Sequence, residues 1–180
     1  MSINQKLSIA AILGASFFAT GAPMVSAATL EKEGVRLDLI QKTLSRNDGP
    51  KQYDWKDIDR LLAIKVTIKN TGFNPLPAAK LNYALLVRRW GTMETGSVER
   101  IEGTESIEAL ERGQSLEKMI GEYRIGGHLH GTNKRHLDTF EEWQITLDFG
   151  DRQVSFESSS KFALLNKLAN KSATSTKSNQ

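Results

Sequence analysis

LLAIKVTIKN, residues 61–70, decides the fold. Ile64, Val66 and Ile68 fall on one side of an extended chain, and Lys65, Thr67 and Lys69 on the other. That period of two belongs to a half-buried strand and not to a helix. The same alternation recurs in KLNYALLVRRW (80–90), with Leu81, Tyr83, Leu85 and Val87 together. EEWQITLDFG (141–150) places Trp143, Ile145, Leu147 and Phe149 together, so Trp143 is expected in the core. GVRLDLIQK (34–42) offers Val35, Leu37 and Leu39. After Gly150-Asp151, RQVSFES (152–158) brings Val154 and Phe156 back antiparallel.

Weaker strand candidates lie at 97–103, 105–110 and 115–125; in the last, Gly121, Gly126 and Gly127 disfavour a helix. Seven to eight short strands with no strand–helix alternation define an all-β chain. One-sided faces of this number are buried when two antiparallel sheets pack face to face, so the expected fold is an immunoglobulin-like antiparallel β-sandwich spanning 28–158. SRNDGPKQYDWKDIDR (45–60) reads as a polar connection, with a turn near Trp55 to Ile58. Residues 159–169 read as a short amphipathic helix begun by a serine, with Phe162, Leu165 and Leu168 on one face, and 170–180 as a disordered tail.

The first 27 residues read as a secretory signal. Lys6 precedes an uncharged run from Leu7 to Phe18, and Pro23 and Val25-Ser26-Ala27 follow as a cleavage region, with cuts after Ala27 or Ala28. About 12 to 16 apolar residues are short for a bilayer span, and no stable membrane span is expected after cleavage. The chain has no cysteine, which excludes a lipoprotein anchor and disulfide staples and points to export into a bacterial periplasm or onto a cell surface. Without Lys6 the chain holds 23 basic and 21 acidic residues, a balance too mild for a nucleic-acid partner.

VTIKNTG (66–72), the hydrophobic strand after it and LERGQSL (110–116) resemble bacterial immunoglobulin-like domains of the cell-adhesion-related type, over roughly residues 61–125. In that family a strand ends in an Asn-x-Gly turn, matched by Asn70 and Gly72. A later Leu-x-x-Gly-x-Ser turn opens the next strand, matched by Leu110, Gly113 and Ser115. The family's later Asn- and Asp-rich segment is replaced here by a histidine-bearing stretch. A looser likeness is to immunoglobulin-like surface proteins related to pilus subunits. The resemblance implies a noncatalytic module of adhesion or envelope assembly, whose partner is an envelope or surface protein or a polysaccharide.

GGHLHGTNKRH (126–136) holds all three histidines, His128, His130 and His136. A His-x-His pair on a strand presents both rings to one side, and a return of the chain would bring in His136. Glu122 or Asp138 could complete a shell for zinc or copper. Lys134 and Arg135 oppose a cation there, and the plainer reading is a solvated loop. A periplasmic metal-binding protein is therefore the alternative function. Asp54, Asp57 and Asp59, with Asn47 and Asp48, suggest calcium but lack the EF-hand glycine and closing glutamate. No catalytic residues are assigned: there is no cysteine and no nucleophile elbow, and Glu141 and Glu142 face opposite ways. An enzyme acting on carbohydrate is the weakest rival. Trp55, Arg88, Arg89 and Trp90 are the candidate binding residues, an indole beside guanidinium groups being able to stack a sugar or an anion.

Overall fold

A computed structural model of the chain describes residues 27–51, 55–90, 97–130 and 133–177. It contains β1 (Ala27–Lys32), β2 (Val35–Arg46), β3 (Trp55–Asn70), β4 (Ala79–Arg89), β5 (Ser97–Ile107), β6 (Ser115–His130), β7 (Asn133–Leu137), β8 (Thr139–Asp148), β9 (Gln153–Glu157) and α1 (Phe162–Lys177). Every strand pairing is antiparallel. One sheet has the order β1-β2-β3-β6-β7 and the other β5-β4-β8-β9. The chain thus crosses between sheets three times, after β3, β5 and β7, as in an immunoglobulin-like sandwich, with β3 beside β6 and β4 beside β8.

The alternation that announces the strands also fills the core. Val35, Leu37 and Leu39 from β2 and Leu62, Ile64, Val66 and Ile68 from β3 meet Leu81, Leu85 and Val87 of β4 and Trp143, Ile145 and Leu147 of β8. Val154 and Phe156 complete the layer from β9. Near its far end the face turns polar: Gln41 donates from Nε2 to the Tyr123 hydroxyl at 2.6 Å, and burial pushes the Tyr123 phenol up to about 12.

β4 is buried on both sides. Ala84 and Leu86 point away from the sandwich core and, with Val98, receive Phe162, Leu165 and Ala169 of α1. The helix lies over the outer face of the four-stranded sheet, and its start is fixed by Glu142. The Glu142 carboxylate accepts from the Ser158 hydroxyl and, at 2.8 Å, from that of Ser159. Ser159 Oγ in turn accepts from the free backbone N–H of Lys161 at 3.1 Å.

Sequence and structure differ at four places. Nine strands form among the described residues, one more than the upper expectation, because Ala27–Lys32 pairs with β2 and Asn133–Leu137 folds back on β6. The polar stretch 45–60 is mostly not a connection. β2 continues to Arg46 and β3 already begins at Trp55, so Trp55–Ile58 is strand, not turn. Hydrogen bonds from Asn47 N to Asp59 O and from Gly49 N to Asp57 O extend that hairpin. Third, the helix begins at Phe162 and continues past Ala169 to Lys177, through most of the stretch expected to be disordered. Nothing in that stretch is a glycine or proline, and extending an established helix costs far less than starting one. Fourth, the candidate strands at 97–103 and 105–110 are a single strand to Ile107. Residues 1–26 of the expected signal segment 1–27 lie outside the described residues; Ala27 and Ala28, the expected cut points, open β1.

Asn70 is wholly buried, and it joins the two turns that carried the family resemblance. Its side-chain amide donates to Asn74 O at 2.9 Å and Leu110 O at 3.0 Å, and its Oδ1 accepts from Gly72 N at 2.9 Å. Its backbone also accepts from Gly113 N and donates to Gln114 O. All the side chain's polar capacity inside the protein serves one end of the sandwich.

Gly121 sets the course of β6. Its φ is +58°, and a Cβ there would lie 2.3 Å from Leu85 Cδ1. The β3–β6 register shifts between Leu62 and Ile64, opposite Tyr123 and Ile120, which is a bulge of one extra residue on β6. The bulge exchanges which parity of β6 faces inward, so that Ile120 and Tyr123 are both buried.

Candidate functional site

The end of the sandwich opposite Asn70 gathers most of the residues singled out from sequence. The supposed loop 126–136 is instead a hairpin between β6 and β7, and it sets His136 directly across from His128. On the other side of β6, Asp57 of β3 is directly across from His128, and Trp55 is across from His130. Asp57, His128 and His136 therefore form one row across three strands. The strands approach closely because Gly127 carries no side chain: a Cβ there would meet His136 O at 2.1 Å.

Trp90, from the end of β4 in the opposite sheet, closes over this row. Its ring meets His136 edge-on at 5.0 Å and His128 edge-on at 5.3 Å, and Trp55 packs on His128 at 5.0 Å, tilted at 42°. Trp90 Nε1 donates to His136 Nδ1 at 2.6 Å, and Trp90 N donates to Asp138 Oδ1 at 2.8 Å. Asp138 Oδ2 accepts from Gly126 N and from Arg89 Nη1. The indole is thus held at its backbone and at its ring nitrogen. Even so, Trp90 remains 38% and Trp55 43% exposed. Large aromatic surface is left in water although it is fixed in place.

The arginines divide. Arg89 joins the cluster: its Nη1 reaches Asp138 and the Arg124 carbonyl, and its Nε pairs with Glu99. Arg88 does not. Alternation along β4 turns it to the face of Leu86, where it pairs with Glu141 at 3.2 Å. The sequence neighbours Arg88, Arg89 and Trp90 are therefore not one patch, because adjacent strand residues point to opposite sides.

The imidazoles have defined chemistry. Indole nitrogen only donates, so His136 Nδ1 is the acceptor in its bond from Trp90, and a neutral His136 carries its proton on Nε2. For Nε2 of a neutral His136 to bind a metal, the proton would have to move to Nδ1, and the bond from Trp90 would be lost. His128 Nδ1 lies 2.5 Å from Asp57 Oδ1, a contact that fixes its ring. Among the described residues, no three or more His, Cys, Asp or Glu side chains converge to hold a metal. The side chain of His130, and those of Lys134 and Arg135, lie outside the described residues.

The acidic residues first read against calcium are engaged separately. Asp48, 4% exposed at its side chain, is surrounded by Arg60 at 2.6 Å, Arg46 at 2.6 Å and Lys56 at 3.2 Å. These cations, Arg60 foremost, hold its carboxyl far below the usual carboxylate range despite its burial. Asp59 pairs with Arg124, which lowers its carboxyl and raises the guanidinium. Asp57 faces His128, and Asp54 lies outside the described residues. The carboxylates do not share a centre. Sequence reasoning named Asp48 only as an upstream calcium candidate and missed its pairing; three cations at spacings of two, eight and twelve residues signal one only once the hairpin is known.

No family model matches the chain, and no curated protein matches it. Among solved structures it is similar to one described as the X-ray structure of Northeast Structural Genomics Consortium target SoR45. The identity is 11% and the TM-score 0.39, with 69% of this chain and 81% of that chain covered.

Proposed function

We propose that this chain is an exported, noncatalytic immunoglobulin-like interaction module of the bacterial envelope or cell surface, and that it meets its partner with the Trp55–Trp90–His128–His136 end of the sandwich. One observation carries the reading: two indoles stay 43% and 38% exposed while Trp55 packs on His128 and Trp90 is hydrogen-bonded to Asp138 and His136. Ordering an aromatic side chain costs entropy, and solvent contact returns little of it. An ordered, half-exposed pair is what a preformed recognition surface requires. The uncharged run before residue 27 supports export, and the partner expected from it is an envelope or surface protein or a polysaccharide.

The test is site-specific crosslinking in intact cells. A photoreactive phenylalanine derivative at position 90 is expected to give a defined adduct in the envelope fraction. The same group at Phe73, which is 84% exposed at the other end, is expected to give none. Adducts from position 73 alone, or a chain retained in the cytoplasm, would overturn the proposal. Metal analysis separates the rival: zinc or copper retained stoichiometrically by the native chain and lost in a His128→Ala/His130→Ala variant would favour a metal-binding protein.

A further inference from the structure

We infer that the aromatic end binds a neutral saccharide, whose pyranose faces stack on Trp55 and Trp90; this rests on the interaction-module reading and adds the ligand's chemistry. Three features of the surface select that class.

The first is the kind of surface the indoles offer. The ring N–H of Trp90 is already given to His136, so what Trp90 shows a ligand is carbon. Both indoles pack against the His128 ring, Trp55 tilted at 42° and Trp90 edge-on at 81°, so two part-exposed apolar rings share one stretch of surface. A ligand suited to it has flat C–H faces repeated along its length. Sugars linked equatorially have such faces, and C–H groups polarised by neighbouring oxygens are attracted to the negative face of an indole.

The second is the polar rim. Asp57, whose side chain is 62% exposed, uses Oδ1 on His128, and its carboxylate stands beside the row within reach of hydroxyls on a stacked ring. The part-exposed His128 ring contacts both indoles. Such groups donate to and accept from hydroxyls, and hydroxyls are what border the faces of a sugar.

The third is charge. Three arginines of this end whose side chains are described are engaged with carboxylate: Arg89 with Glu99 and Asp138, Arg124 with Asp59, and Arg88, on the other face, with Glu141. An acidic ligand would have to displace these partners and would meet the Asp57 carboxylate. That favours an uncharged ligand over a phosphate, a uronate or a nucleic acid.

The experiment is affinity electrophoresis of the full chain through native gels. The gels contain a soluble β-linked glucan, a galactomannan or, as the acidic comparison, polygalacturonate. Retardation is expected in at least one neutral gel. It should weaken roughly tenfold or more in Trp90→Ala and in Trp55→Ala, since truncated aromatic anchors dominate such interfaces. Trp90→Phe keeps a ring while losing the N–H bond, and should retain most of the binding. Thermal unfolding of each variant guards against simple loss of fold, and Phe73→Ala at the opposite end should bind as the native chain does. No retardation in either neutral gel, equal or stronger retardation by polygalacturonate, or undiminished binding by a folded Trp55→Ala/Trp90→Ala variant would each overturn the saccharide. A defined protein adduct from position 90 together with absent retardation sinks this inference and leaves the interaction module standing. No adduct and no retardation sink both.

Discussion

Replacing Asn70 tests the joint between the two turns. The side chain makes three hydrogen bonds, to Asn74 O, to Leu110 O and from Gly72 N. Each contributes on the order of 1 kcal/mol net. Two of the three partners keep a backbone bond without it, since Gly72 N also donates to Gly34 O and Leu110 O also accepts from Leu76 N. The full penalty for stranded groups is therefore spared, and Asn70→Ala should cost about 2–4 kcal/mol. With a urea m-value of about 2 kcal/mol/M, the midpoint of unfolding followed by tryptophan fluorescence should fall by about 1–2 M. Asn70→Asp should be worse at neutral pH although it fits the same space. An ionised carboxylate cannot donate, and it would face the carbonyl oxygens of Asn74 and Leu110. Burial raises the folded-state pKa of the introduced carboxyl above its unfolded value, so its excess penalty should shrink as pH falls and the proton returns a donor. A midpoint for Asn70→Ala within about 0.3 M of the native one, or Asn70→Asp no worse than Asn70→Ala at pH 7, would refute the reasoning.

Asp48→Asn removes the anion from among Arg46, Lys56 and Arg60 and should cost about 2–3 kcal/mol in the same urea assay, the half-exposed cations tempering the full cost of breaking a buried pair. The native carboxyl titrates below its ordinary 3.8 in the folded chain, so its stabilisation is fully present above 3.8 and is lost as pH falls from there through the lower folded-state value; the variant should lack that part of the acid sensitivity. Gly121→Ala should cost about 2–4 kcal/mol in thermal or urea unfolding, because alanine resists a φ of +58° and its methyl would strike Leu85. Glu142→Ala should loosen α1 from its sheet, seen as amide exchange through Phe162–Ala169 rising well above that of β4 and β8; unchanged exchange would show that the two serines hold the helix start without it.

The strands of this protein are legible because their neighbours impose one rule, that each side chain is either in or out. Ile64, Val66 and Ile68, and Trp143, Ile145 and Leu147, declare their faces without knowledge of their partners, and all are buried. The run Ala84-Leu85-Leu86-Val87 breaks the alternation because α1 covers its second face, and a local pattern has no means of naming what covers it. The polar 45–60 stretch misleads for a related reason. Its charges look solvent-directed one at a time, whereas Asp48 is buried by cations that only a hairpin brings near. At the aromatic end, residue types were informative and grouping was not. Trp55, Trp90, His128 and His136 come from four segments, and only the antiparallel pairing of β6 with β7 unites the two histidines. Arg88 shows the converse, a neighbour in sequence that alternation sends elsewhere.

β3 and β6 are each sixteen residues long and run side by side from the buried Asn70 turn to the aromatic tip. A tether held at that tip and resisted at the opposite pole would load the pair along its length. The rungs between them would bear the tension in parallel and fail together, whereas a pull across the sheet would open them singly. The fold would be stiffest along that axis, and its lifetime under tension would follow the barrier to unfolding more than the equilibrium stability.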